Sequence, residues 1–167
     1  MKTRVKIHTK AGWKNVEIDI PVLGKKNLYL IHPRDARQET RAWELEFEKR
    51  TGIVLVNPFY DVRGEEAEQN HLGHEKYAHV SADLIVEADL AALTHPRISG
   101  AVVLISRDIQ KSWGSSMEIF YTKAMLMKRV YTVIEDPRSY HHPWLNAFSD
   151  RVFSSKPQLE EFLAQEK

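Results

Sequence analysis

A doubly wound, three-layer α/β fold of the flavodoxin- or Rossmann-like kind is predicted, with a mainly parallel five-stranded sheet and an N-terminal β-hairpin. Three observations predict it. Short apolar runs recur at Leu28-Tyr29-Leu30-Ile31, Ile53-Val54-Leu55-Val56, 101–105 and 130–134, the pattern of strands buried on both faces. Segments of helical spacing alternate with these runs, which makes βαβ units with right-handed crossovers. The opening residues instead alternate apolar and polar positions, as a half-buried antiparallel hairpin does.

Each element has its own warrant. Val5 and Ile7 share one face, Val16, Ile18 and Ile20 another, and Lys10-Ala11-Gly12 between them is a turn signal. The hairpin is therefore expected over 4–20, as an extension covering 1–26 ahead of a main domain at 27–167. After the first strand, Asp35 with Gln38 three residues later can cap a helix, Trp43 and Phe47 lie on one stripe, and Gly52 stands at the C-terminal glycine position. The stretch 57–82 has no clean period, and a connection that long inside a compact domain is usually functional. Leu84, Ile85, Ala88 and Ala92 predict a helix over 83–93, and another is expected over about 116–128. A short strand at 151–153 and a helix near 157–165, with Pro157 in its first turn, close the domain.

Composition narrows the function. In 167 residues, 24 Lys+Arg stand against 23 Asp+Glu, a formal charge of +1, which excludes a strongly basic nucleic-acid binder as the default. The absence of Cys removes thiol nucleophiles, iron–sulfur clusters and cysteine zinc sites. The N-terminus lacks the apolar core of a signal peptide and no run approaches ~18 apolar residues, so no membrane association and a cytoplasmic location are expected. His71, His74 and His79 resemble metal ligands, but His74-Glu75-Lys76-Tyr77-Ala78-His79 is one residue longer than the zinc motif, so its histidines would not share a helix face. No metal and no cofactor are expected. Glu65, Glu66 and Glu68 read as a solvated acidic face.

Ligands of doubly wound sheets bind beyond the strand C-termini, which directs attention to 32–36, 57–64 and 106–116. The richest segment is Lys111-Ser112-Trp113-Gly114-Ser115-Ser116-Met117-Glu118-Ile119. Gly114 allows a turn or close approach of a ligand, and a helix start offers free N–H groups to an anion such as phosphate. Ser112, Ser115 and Ser116 add hydroxyl donors. Glu118, in the first turn, would be kept ionised by the helix dipole and could act as a nucleophile. Spacing alone favours a plainer reading, in which Ser115-x-x-Glu118 is a capping box.

The order of motifs over about 27–165 resembles the nucleoside 2-deoxyribosyltransferase-like superfamily, closest to its nucleoside 5′-monophosphate N-glycosidases. Leu28-Tyr29-Leu30 matches the opening strand, Pro58-Phe59 the pair after the second strand, and Asp89-Leu90 the acidic pair on the next helix. Ser112, Gly114, Met117 and Glu118, followed by Lys128-Arg129-Val130, match the loop–helix signature, although Ile31, His32, Ser116 and Phe120 depart from the family pattern. The resemblance implies that Glu118 attacks or stabilises the anomeric carbon and that Asp89 assists at the sugar and base. It implies that Ser112, a serine where the transferases carry aspartate, suits phosphate, with Arg34 and Arg37 as candidate phosphate ligands. It also implies a homodimer.

Under this reading Asp89 would be the acid with the raised pKa, and Tyr29 could reach the sugar or the glutamate. Phe59, Tyr60 and Trp113 could stack on a base, although each is more often a loop anchor. The partner expected is a small-molecule nucleotide or nucleoside. Two alternatives stand beside hydrolysis: a transferase moving deoxyribose between bases, and a nucleotide-binding module without turnover.

Overall fold

The computed structural model describes residues 2–20, 22–60, 82–106, 109 and 112–166. The three histidines at 71, 74 and 79 and the acidic run at 65–68 lie outside the described residues. Among the described residues five parallel strands form the main sheet: β3 (Lys26–Ile31), β4 (Ile53–Val56), β5 (Gly100–Ile105), β6 (Arg129–Ile134) and β7 (Arg151–Phe153). They follow the hairpin strands β1 (Thr3–Thr9) and β2 (Gly12–Ile18). The spatial order is β4-β3-β5-β6-β7, the flavodoxin-like order. The chain leaves β3 to one side for β4 and returns to its other side for β5. The topological switch point, where such sheets bind ligands, therefore lies between the carboxyl ends of β3 and β5.

Both sheet faces are covered, which is why the strands read as continuous apolar runs. Leu28, Leu30, Val102, Leu104 and Val133 pack with Phe47 of α1 (Arg37–Thr51) and with Leu159 and Leu163 of α5 (Lys156–Gln165). Tyr29, Ile31, Ala101, Val103 and Ile105 face the other layer, which contains α2 (Ala82–Thr94), α3 (Trp113–Phe120) and α4 (Pro143–Phe148). Val5, Ile7, Ile18 and Ile20 belong to this same cluster, with Ile7 fully buried. The hairpin, an extension in sequence, thus shares the core of the main domain in space. His95 Nε2 donates to Thr3 Oγ1 at 3.0 Å, Lys14 Nζ meets Glu87 Oε1 at 2.7 Å, and Lys10 Nζ meets Asp83 Oδ1 at 2.8 Å, joining the hairpin to α2 and its C-terminal end.

Two glycines are dictated by geometry. Gly52 ends α1 in the left-handed region, φ 71°, where its N–H donates to Glu48 O. At Gly100, opposite Arg129, a Cβ would lie 2.5 Å from the Arg129 carbonyl oxygen, so only glycine allows β5 and β6 to pair there.

The helix starts differ from expectation. Asp35 does not cap α1: Pro33 is extended, Ala36 N–H closes a 3-10 turn onto Pro33 O, and α1 begins after it with no side-chain cap. Helix α3 starts at Trp113 rather than near 116, because Ser116 N–H reaches Ser112 O at 3.2 Å. It does not continue to 128 as an α-helix. A π-helical turn, Tyr121–Met125, follows it, and Lys128 then donates to Leu93 O and His95 O at the end of α2. Helix α4, with Pro143 at its start, was not foreseen. No described helix is long and apolar enough to cross a membrane.

Candidate active site

At the switch point lies a cavity of about 1020 Å³. The start of α3 shapes one side of it. Ser112 is the N-cap residue, but its hydroxyl pairs with Ser115 Oγ at 2.7 Å instead of capping the backbone. The first N–H groups of α3 therefore lack a side-chain cap, as an anion site requires. Gly114 sits in this first turn without a positive φ, and a Cβ there would meet open space. The turn reading of Gly114 fails, and close approach of a ligand remains.

Ser115 is inside the helix, so the capping-box reading of Ser115 and Glu118 is overturned. The Ser116 hydroxyl donates to Ser112 O at 3.3 Å, and Ser116 is not among the residues that line the cavity. Ser112, Gly114, Ser115 and Glu118 do line the cavity.

Glu118 lies in the second turn of α3, beyond the reach of the N-terminal dipole. Tyr29, fully buried on β3, donates its hydroxyl to Glu118 Oε1 at 2.9 Å. Asp89 of α2 faces the same space. Burial first, and then the neighbouring Asp89 charge, push the Glu118 carboxyl well above the usual carboxylate range, while the Tyr29 hydrogen bond pulls it back in part. This corrects the expectation that the helix dipole keeps Glu118 ionised. The two carboxyls face one cavity, and burial favours the protonated form of Glu118.

The loop after β3 supplies positive charge. Arg34 and Arg37 both line the cavity, with Arg37 Nη1 donating to Arg34 O at 3.1 Å. Burial and the Arg37 charge both act to lower the Arg34 pKa. A guanidinium does not deprotonate in a protein, so the shift marks a charge that loses water by burial and, second, meets a like charge, and a bound anion would offset both.

Behind the loop runs a buried polar chain that sequence reading missed. His32 Nδ1 donates to Pro33 O at 3.0 Å, and its Nε2 faces Asn57 Oδ1 at 3.3 Å. Asn57 Nδ2 donates to Glu44 Oε2 at 2.7 Å, and Glu44, fully buried, pairs with Arg41 at 2.5 Å. Burial pushes the His32 imidazole down, while its contacts with Pro33 O and Asn57 Oδ1 pull it back in part. A charge buried on α1 thereby fixes the Pro58-Phe59 loop, since Phe59 N–H also donates to Asn57 Oδ1 at 3.0 Å. Phe59 lines the cavity against the His32 ring, at 4.9 Å between centroids. Tyr60 is an anchor beneath Arg41, whereas Trp113 is 81% exposed and lines the cavity.

Three further walls were not foreseen: His8, Thr9 and Lys10 at the hairpin tip, Ile85, Val86 and Leu90 on α2, and Tyr121 and Met125 in the π-helical turn. Among the described residues no group of three His, Asp or Glu side chains could hold a metal ion. No protein-family model matches the chain, and no curated protein matches it either.

Proposed function

We propose that the protein is an N-glycosidase that hydrolyses a nucleoside 5′-monophosphate to free base and sugar phosphate. The observation that carries this reading is the Tyr29–Glu118 hydrogen bond beside Asp89, at a cavity whose other side holds Arg34, Arg37 and the uncapped start of α3. A carboxyl pair next to a cationic anion site suits a substrate with a phosphate at one end and a glycosidic bond at the other.

The reaction balances within this set. The C1′–N bond breaks and its electron pair leaves with the base. The base takes the proton held by the carboxyl pair, from Asp89 in the productive arrangement. Glu118, ionised with the Tyr29 hydroxyl on its oxygen, meets the positive charge developing at C1′. Water then adds to C1′, and its proton returns to the pair. Ser112 supports hydrolysis of a phosphorylated substrate, because a carboxylate at that place would repel the phosphate.

The deciding experiment incubates the protein with nucleosides and their 5′-monophosphates and measures free base. Base from monophosphates alone is expected. Base that appears only with an added acceptor base indicates a transferase, and none from any substrate indicates a binding module. A homodimer fits the same reading, since Trp113, Met117, Phe120 and Trp144 present exposed apolar surface on α3 and α4. Light scattering on a sizing column tests it.

A further inference from the structure

Resting on that reading, we infer that the N-terminal hairpin is the leaving-group recognition element of the site, its tip residues His8 and Lys10 bordering the base. Helix α3 orders the cavity. Its start carries Gly114 and Ser115 beside Ser112. Glu118 lies four residues on, roughly 6 Å along the axis, and Tyr121 follows at roughly 4.5 Å more. A phosphate at the helix start and C1′ at Glu118 leave the base at the Tyr121 end.

That end is built for a flat ring. Ile85, Val86 and Leu90 of α2 and Tyr121 supply apolar walls, and His8, Thr9 and Lys10 of the hairpin tip line the rim, with the His8 ring edge-on to Trp13 at 5.1 Å and the Lys10 ammonium 2.8 Å from Asp83. Phe59 lies elsewhere, against His32 in the loop next to Arg34, so it stands at the cationic end rather than beside the base.

The tip is held in place before any ligand arrives. His8 N–H donates to Tyr121 Oη at 3.2 Å, three residues along the chain from Glu118. Ile7 is buried in the core, and Lys10 and Lys14 reach Asp83 and Glu87, one turn apart on α2. A rim fixed in this way recognises a ring without ordering costs on binding. Both tip side chains project from the surface, so replacing them leaves the core intact.

Calorimetric titration of wild type and the His8→Ala/Lys10→Ala variant tests this, with the four ribonucleoside 5′-monophosphates and with ribose 5-phosphate. The variant should bind the nucleotides roughly tenfold more weakly, the size of one or two lost hydrogen bonds, with an altered order of preference among bases. Ribose 5-phosphate affinity should not change. Tyr121→Phe, which frees the tip without removing its side chains, should move nucleotide affinity in the same direction. Unchanged nucleotide affinity and base preference, or an equal loss for ribose 5-phosphate, overturns the inference. Wild type that binds nucleotides but releases no base refutes the glycosidase reading, while the hairpin is still judged by affinity. If wild type binds none of the ligands, both fall.

Discussion

Glu118→Gln should trade activity for stability. The Glu118 carboxyl is raised well above its ordinary range, first by burial and then by Asp89. The unfolded chain releases that proton near pH 4.3, whereas the folded chain keeps it to higher pH. The stability contributed by Glu118 is therefore full below about pH 4.3 and is lost as pH rises through the folded pKa. Linkage sets the slope of this loss at up to ~1.4 kcal/mol per pH unit. For a chain of 167 residues this corresponds to roughly 3–5 °C of Tm per unit.

Gln keeps an oxygen to accept the Tyr29 hydroxyl but has nothing to ionise. The variant and wild type should melt together near pH 4 and diverge above it, with the variant more stable at about pH 7–8. Because the Asp89 charge is the second cause that raises Glu118, Asp89→Asn should diverge from wild type in the same direction but by less. Near-UV circular dichroism melts across this range read the effect directly. Base release should fall by at least ~100-fold in Glu118→Gln. Parallel Tm curves, or a variant that loses stability relative to wild type as pH rises, would refute the raised Glu118 carboxyl.

Tyr29→Phe removes the donor that favours ionised Glu118; kcat/KM should fall roughly 10–100-fold and the pH profile should move to higher pH, measured by steady-state base release. Arg34→Ala/Arg37→Ala should weaken inorganic phosphate binding and flatten its salt dependence, read by calorimetry at two ionic strengths. Ile7→Ala should cost ~2–5 kcal/mol in a single cooperative denaturant transition, because the hairpin and the main domain share one core; two separated transitions would contradict that sharing. Gly100→Ala places a Cβ 2.5 Å from the Arg129 carbonyl oxygen and should destabilise by roughly 1–3 kcal/mol in the same assay.

The sheet was legible because burial on both faces leaves a plain mark: four apolar runs became β3, β4, β5 and β6 with ends shifted by no more than two residues. Gly52 was legible because a left-handed C-cap has almost one chemical solution. Helix starts were harder to read. Asp35 and Ser115 both carry good capping chemistry, yet Pro33 delays α1 by a 3-10 turn and the Ser112 carbonyl advances α3 by a turn. A cap is decided by which carbonyl the chain brings near, and that depends on the strand before it. Helix α4 is only six residues long and carries too little periodicity to register.

The candidate site divides along a similar line. Glu118 and Asp89 stand on different helices, and their types announced possible chemistry before any coordinates did. Their electrostatic relation was not legible, because it depends on burial and on a neighbour 29 positions away in the chain. The capping-box spacing pointed the wrong way, since the same Ser-x-x-Glu interval occurs inside a helix with no capping role. What separates the two cases is Tyr29: a hydroxyl on a fully buried strand residue reaches Glu118 only if that side chain turns toward the sheet and away from the helix start. A carboxyl tying off a helix end would sit in water with an ordinary pKa. One drawn under a strand tyrosine and beside a second carboxylate is held in a costly environment. Such placements persist at sites where the strained group performs a task, and this is the physical reason to assign chemistry to Glu118 rather than a role in holding the helix.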